Sequence, residues 1–326
     1  MILVTGAGGF VGRHLIQSFE SRLPGASIRA FDIKFHSGDP PQSIETICGS
    51  IEDPDAVKTV VDGVEVVIHL AAKVVPHSQD LTEMTRTNVE GSRLLYHAAV
   101  ESGCRHFIYL SSAGVYGPPR TTSPFRETDT PRPVTPYQRT KWQAEVALRA
   151  ENARHTTLNI LRPAGVYGAG SLLEIPTYRK VLRKRWTVEL CGGVVVQPTH
   201  ISELVEAILA ILDVPAPHGE VFNFGGQYIL RVQELETLVA KTLSVSRRSL
   251  IIPPWIAGPL SVPASTILAR LGRVNPLLQR MARGETFSAA VDDSVFRQRY
   301  PHIPVVELEK GLQEHIGWAR SSGLLQ

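Results

Sequence analysis

A chain of 326 residues with 43% hydrophobic and 20% charged residues has the make-up of a folded protein, with length for one large domain and a smaller appended lobe. Its formal charge of +3 gives no basic field for nucleic acid, so no nucleic-acid partner is expected. The three cysteines, Cys48, Cys104 and Cys191, are widely spaced and lack C-x-x-C spacing, which excludes a disulfide framework and a zinc site and points to a reducing, cytoplasmic setting.

The chain opens on Met1-Ile2-Leu3-Val4-Thr5 with no basic n-region or cleavage site, so a first strand and no signal peptide are expected. Strands are predicted at Ile2-Thr5, Ser27-Phe31, Val64-Leu70, His106-Leu110 and Thr157-Leu161. Each is a continuous apolar run, as in strands buried on both faces. Helical periods lie between them at Val11-Arg22, Pro54-Val61, Asn88-Ser102 and Pro136-Glu151. This alternation predicts an α/β fold, a Rossmann-type doubly wound parallel sheet with a smaller C-terminal lobe.

The second half loses the beat. Gly165 to Ser171 is glycine-rich, a basic helix follows near Pro176-Arg185, and an amphipathic helix at Ile201-Leu212 precedes a strand at Val221-Phe224. The expected division is 1–165 for the sheet domain and 166–326 for the lobe, with some later elements interleaved. Leu250 to Leu271 is apolar but holds Pro253, Pro254, Pro259 and Pro263, which would break a spanning helix, so no integral membrane segment is expected.

Thr5-Gly6-Ala7-Gly8-Gly9-Phe10-Val11-Gly12 lies at the first strand-to-helix turn, where a dinucleotide pyrophosphate rests on free helix N–H groups. Gly6 permits the tight exit from the strand, Gly9 lets backbone approach phosphate, and Gly12 lets helix and strand pack closely. Asp32, at the end of the second strand, can accept hydrogen bonds from the adenosine ribose and would repel a 2′-phosphate. NAD is therefore the expected cofactor; Lys34 and Arg13 leave NADP open.

Tyr137 and Lys141 are four residues apart, which on a helix puts phenol and ammonium on one face. A fixed cation stabilises a phenolate and brings proton transfer within reach of neutral pH. Ser112 follows the strand His106-Leu110, so its hydroxyl sits at the carboxyl end of the sheet, where ligands of open α/β sheets bind. Tyr137 is the candidate acid/base and Ser112 the candidate group orienting a substrate oxygen.

With these residues the chain resembles the extended short-chain dehydrogenases/reductases. The resemblance runs through Thr5-Gly12, His69-Leu70-Ala71-Ala72, Asn88-Val89-Glu90-Gly91, the set Ser112, Tyr137 and Lys141, and Leu161-Arg162-Pro163-Ala164-Gly165-Val166-Tyr167-Gly168. It implies an NAD(P)-dependent dehydrogenase or reductase with Ser112, Tyr137 and Lys141 as catalytic residues. It also implies cofactor contacts from Phe10, Val11, Ile51, Leu70, Ala71, Ala72 and Lys73. Lys141 is expected on the nicotinamide ribose, and backbone at Pro163 and Val166 near the carboxamide. Asn88 is expected to support the active-site backbone. Two departures stand out: Ser50 and Ser202 occupy places where family members commonly carry an acidic residue. A homodimer through the helices near Asn88-Ser102 and Pro136-Glu151 is expected, since relatives pair that way.

The substrate is expected to be a small molecule bordered by Lys73, His77, Ser112, Ala113 and Gly165, with His77 at the rim and no metal. Nucleotide-sugar epimerases often carry Asn where this chain has Gly165. The Arg162-Gly168 stretch and the C-terminal part look more like 3β-hydroxysteroid and sterol-carboxylate dehydrogenases. This favours oxidation or reduction of a hydrophobic or acyl-type hydroxy/keto substrate. The alternatives are a nucleotide-sugar 4-epimerase, dehydratase or 4-keto reductase, and a non-catalytic dinucleotide sensor. The basic run Arg179-Arg185 has two readings, a clamp for a diphosphate, a carboxylate or a coenzyme A tail, or more commonly a solvated helix face, while the intact Ser-Tyr-Lys set argues against the sensor.

Overall fold

The computed structural model describes residues 1–35, 40–41, 43–74, 81–118, 123–153, 155–183, 186–189, 195–246, 248–251 and 290–325. Its first half alternates strands and helices: β1 (Ile2–Thr5), α1 (Phe10–Arg22), β2 (Ile28–Asp32), β3 (Glu45–Cys48), α2 (Pro54–Val60), β4 (Val66–His69), α3 (Leu81–Thr85), α4 (Ser92–Glu101), β5 (His106–Leu110), α5 (Pro136–Ala150) and β6 (Thr157–Pro163). The second half adds β7 (Val166–Tyr167), α6 (Ile175–Arg183), β8 (Trp186–Glu189), β9 (Val195–Val196), β10 (Thr199–His200), α7 (Ile201–Asp213), β11 (Val221–Phe224), β12 (Leu230–Arg231), α8 (Val232–Thr242), β13 (Arg248–Ile251), α9 (Ser294–Arg299) and α10 (Leu308–Ser321).

Seven strands form one parallel sheet in the order β11-β6-β5-β4-β1-β2-β3. The order reverses between β1 and β4, and that switch opens the crevice above the carboxyl ends of both strands. One face is covered by α1 and α7, whose Leu15, Phe19, Leu204 and Ile208 bury against Val4, Ile68 and Ile108. The other face is covered by α2, α4 and α5, through Val57, Leu95, Tyr96, Ala144 and Leu148.

Two features depart from the sequence expectation. The strand β3 extends the sheet beyond β2, and the segment Glu-Thr-Ile-Cys that builds it is too polar to signal a buried strand because it occupies the sheet edge, largely exposed. The helix expected from Asn88 starts earlier, at Leu81, and passes through a π-helical turn at Arg86–Gly91 that carries Asn88. Later elements return to the sheet: β11 pairs with β6, and α7 packs on α1. A separate cluster joins α6, α8 and α10 through Tyr178, Val181, Val239, Leu312 and Ile316. No helix among the described residues is long and apolar enough to cross a membrane. His77, Cys191 and most of the apolar Leu250–Leu271 stretch lie outside the described residues.

Candidate active site

The glycine loop works by backbone contact. Gly6 has φ +71°, and a Cβ there would lie 2.6 Å from the Ala71 nitrogen, so the turn admits no side chain. A Cβ on Gly12 would lie 2.2 Å from the Gly6 carbonyl oxygen, while one on Gly9 would meet only that oxygen, at 3.1 Å, and otherwise open space. Gly9 is the N-cap of α1, with no side chain capping the helix and no acidic residue in its first turn, which leaves free N–H groups and a positive helix end facing the crevice. Gly8, to which the sequence reading gave no role, is as restricted as Gly12: a Cβ there would fall 2.4 Å from the Lys34 carbonyl.

A cavity of about 400 Å³ runs from this loop across the sheet, between Asp32, Ile51, Leu70, Ala71, Ala72 and Lys73. The Asp32 carboxylate accepts the Gly8 N–H at 2.9 Å. At the Ser50 departure, the serine Oγ accepts the Glu52 N–H at 3.1 Å, and Glu52, also lining the cavity, is held by Arg86 and Thr87. Those partners offset the burial of its carboxyl and keep it below the usual carboxylate range. An elongated groove with unsatisfied helix N–H groups at its middle and a carboxylate at one end fits a dinucleotide.

At the sheet's carboxyl edge, Thr135 and Gln138 form a capping box with Pro136 in the first turn, which starts α5 one residue before Tyr137. Ser112 projects from the end of β5; its Oγ accepts the Gly114 N–H at 3.0 Å and its side chain hydrogen-bonds the Tyr137 phenol. Burial nevertheless pushes that phenol up to about 12. Lys141 is only 3% exposed; its Nζ donates to the Leu110 carbonyl at 2.7 Å and lies 4.7 Å from the centre of the Tyr109 ring. Burial pushes the ammonium down to about 7, against the opposing attraction of Glu145. Ser112 and Tyr137 are thus joined by a hydrogen bond, while Lys141, one helical turn further along α5, is held at the end of β5 by the Leu110 carbonyl.

Asn88 and His69 join the two halves of the site. Asn88 is buried; its Oδ1 accepts the Lys73 N–H at 2.7 Å, and its Nδ2 donates to the Lys73 carbonyl at 3.1 Å and the Thr140 hydroxyl at 3.0 Å. The Ser92 hydroxyl donates to the Asn88 carbonyl at 2.7 Å, so it accepts from His69 Nε2 at 2.8 Å. His69 Nδ1 then accepts from the Thr5 hydroxyl at 2.6 Å. Burial holds His69 neutral, its value pushed down to about 3, with the Lys141 charge adding to the effect.

Of the residues predicted to border substrate, Ala113 begins the short turn after Ser112, and Gly165 follows β6 with open space where a side chain would be. Lys73 is ion-paired with Glu83. Pro163 ends β6 and Val166 begins β7 beside it. Arg179 and Lys180 face away from a clamp role: the first donates to the Leu324 carbonyl at 3.1 Å and the second pairs with Glu236 at 2.6 Å. One residue absent from the sequence reading emerges here. Glu145, fully buried on α5, takes both forks of Arg162, with Nε at 2.9 Å and Nη2 at 2.6 Å, and it also accepts from Ser111.

Comparison with known proteins agrees with this geometry. Residues 2–225 match the NAD dependent epimerase/dehydratase family. The dTDP-D-glucose 4,6-dehydratase of Mus musculus is 30% identical over 269 residues, 75% of this chain and 74% of that one. The 3 beta-hydroxysteroid dehydrogenase type 7 of Homo sapiens is 30% identical over 256 residues, 72% of this chain and 63% of that one. Among solved structures, DesIV, a dTDP-glucose 4,6-dehydratase from Streptomyces venezuelae with NAD bound, superposes with a TM-score of 0.78 at 20% identity, covering 100% of this chain and 98% of that one. The chain therefore belongs to the NAD-dependent epimerase/dehydratase family of extended short-chain dehydrogenases/reductases, and is an NAD-dependent oxidoreductase.

Proposed function

We propose that this enzyme interconverts a secondary alcohol and a ketone at one carbon of a hydrophobic or acyl-type substrate. The observation that supports this reading is the Ser112 side chain hydrogen-bonded to the Tyr137 phenol, with Lys141 one turn further along α5 and no second acid/base pair beside them among the described residues. Dehydration requires a proton removed from one carbon and a hydroxyl protonated on the next. Ala113 and Gly114, which follow Ser112, have no group for either task. The carboxylates nearby are committed, Glu145 to Arg162 and Glu127 to the Asn223 N–H at 2.8 Å.

Bound NAD supplies hydride exchange with the carbinol carbon; Asp32, the α1 N-terminus, Lys141 and the backbone near Pro163 and Val166 would hold it. Tyr137 gives its proton to the carbonyl oxygen in reduction and takes the hydroxyl proton in oxidation. Ser112 orients that oxygen by hydrogen bonding, and Lys141 stabilises the phenolate that remains. Asn88 acts through backbone, fixing Lys73 on one side and the Thr140 turn of α5 on the other.

An apolar substrate is favoured over a sugar diphosphate because Arg179 and Lys180 of the basic run are engaged elsewhere and Gly165 offers no side chain to a diphosphate. Val74, 59% exposed at the end of the crevice, adds apolar surface. The test is a panel of sterol-like alcohols, 3-hydroxyacyl compounds and nucleotide sugars followed by NADH absorbance, with chromatography to detect a silent epimerisation. Turnover of the first two classes is expected; conversion of nucleotide sugars alone would overturn the substrate assignment. A homodimer through α4 and α5 is part of this reading, supported by Val146, 48% exposed on α5, and is tested by light scattering.

A further inference from the structure

Lys141 is a cation with little water around it, and its surroundings offer few ways to compensate the charge. From β5 it receives the Leu110 carbonyl and the Tyr109 ring; from β4 it faces His69, which is neutral; on its own helix Tyr137, whose phenol is protonated at rest, lies one turn before it. The anion acting on it is Glu145, one helical turn further along α5 on the same face.

Glu145 is unusually constrained. One carboxylate oxygen accepts from Arg162 Nε at 2.9 Å and from the Ser111 hydroxyl; the other accepts from Arg162 Nη2 at 2.6 Å and from Arg149 Nη2 at 2.9 Å. Arg162 is further fixed by donating Nη1 to the Tyr116 hydroxyl at 2.7 Å, and that hydroxyl donates to Asn223 at 2.8 Å. Ser111 precedes Ser112, Arg162 precedes Pro163, and Lys141 sits a turn before Glu145. One buried carboxylate therefore reaches the immediate neighbours of Ser112 and Pro163 and lies one helical turn from Lys141.

We propose that Glu145 is a positioning residue for this reaction: it supplies the counter-charge that keeps Lys141 an ammonium, and it clamps the Ser111 and Arg162 segments that carry Ser112 and Pro163. The assignment rests on the Ser112-Tyr137-Lys141 reading above. Its physical content is charge balance. With the carboxylate present, the two guanidiniums are shielded from Lys141; without it, Arg162 and Arg149 are left facing a third cation in a buried setting, which disfavours the ammonium.

The test needs no substrate. The full-length protein is labelled with ¹³C at lysine Cε, the Lys141 resonance is identified by its loss in Lys141→Met, and its pH midpoint is read by NMR. Glu145→Gln is expected to lower that midpoint by about one pH unit or more, and to weaken NAD binding at pH values where wild-type Lys141 is still charged. Arg149→Gln removes a guanidinium that is 31% exposed and competes for Glu145, so it is expected to move the midpoint upward. If Glu145→Gln does not fold, the direction of the Arg149→Gln shift decides. A midpoint unmoved by the variants, or moved in the opposite directions, overturns the assignment, because a merely structural role would alter stability without moving it. A shifted midpoint together with full turnover in Tyr137→Phe would instead sink the catalytic reading and leave the charge coupling standing.

Discussion

The Asp32 carboxylate ties the tip of the glycine loop to the end of β2: its Oδ2 accepts the Gly8 N–H at 2.9 Å, while Oδ1 lies 3.4 Å from the Lys34 nitrogen. The charge is thus fixed where an adenosine ribose would lie. Asp32→Ala is expected to weaken NAD binding about ten- to a hundredfold, the value of charge-assisted hydrogen bonds. It should also narrow the preference for NAD over NADP, because the repulsion of a 2′-phosphate goes with the carboxylate. Fluorescence titration of both cofactors measures this. NADP binding tighter than NAD in the native protein would assign control of the ribose to Lys34 or Arg13.

Tyr137→Phe keeps the ring and removes the proton. The turnover loss should be about a hundred- to ten-thousandfold, the usual contribution of general acid–base catalysis, with cofactor affinity little changed. Lys141→Ala should reduce both. The pH response has opposite signs in the two directions. With the phenol pushed up to about 12 at rest, ketone reduction should hold through neutral pH, and alcohol oxidation, which needs the phenolate, should rise with pH. Stopped-flow measurement in both directions checks the signs; near-native turnover in Tyr137→Phe would overturn the mechanism.

Much of the sheet is legible because buried parallel strands must be apolar throughout, and Ile2–Thr5 or His106–Leu110 announce themselves. The glycine loop and the Tyr137–Lys141 pair are legible because each is a local pattern with a fixed spacing. What stays hidden depends on tertiary contact. The edge strand Glu45–Cys48 buries too little to be patterned. Gly8 is restricted only because the Lys34 carbonyl crosses above it. The partnership of Glu145 with Arg162 joins two elements through the fold, with no spacing rule between them.

His69 links the glycine-loop strand to Asn88 and is held neutral, so it should shape acid stability. Its folded value is near 3 and its unfolded value near 6.5. The unfolded chain therefore binds the proton first as pH falls. The stabilisation is complete above about 6.5 and is lost towards 3, at up to about 1.4 kcal/mol per pH unit. Urea unfolding across this window should show a steeper acid loss in the native protein than in His69→Gln. Parallel curves would mean that His69 does not titrate between the two states.

Glu174, just before α6, should act with the opposite sign. Its carboxyl accepts from the Ser171 hydroxyl at 3.2 Å, but burial dominates and pushes it up to about 7 from an ordinary value of 4.5. Around it, Ser171 also offers its carbonyl to His315 at 3.0 Å, and His315 bonds the Tyr178 hydroxyl at 2.9 Å, so the carboxyl sits at the seam between the 165–171 loop and the C-terminal helix. Between pH 4.5 and 7 the folded state keeps a proton that the unfolded chain releases. Its stabilising effect is present below 4.5 and disappears as pH rises through 7, again at up to about 1.4 kcal/mol per pH unit. Glu174→Gln preserves the shape and cannot ionise. The variant should therefore match the native protein near pH 4.5 and become progressively more stable than it towards pH 8, when the two are compared by thermal melting at matched ionic strength. A constant difference across that range would show that Glu174 is already ionised in the folded protein, with the loop satisfying its charge.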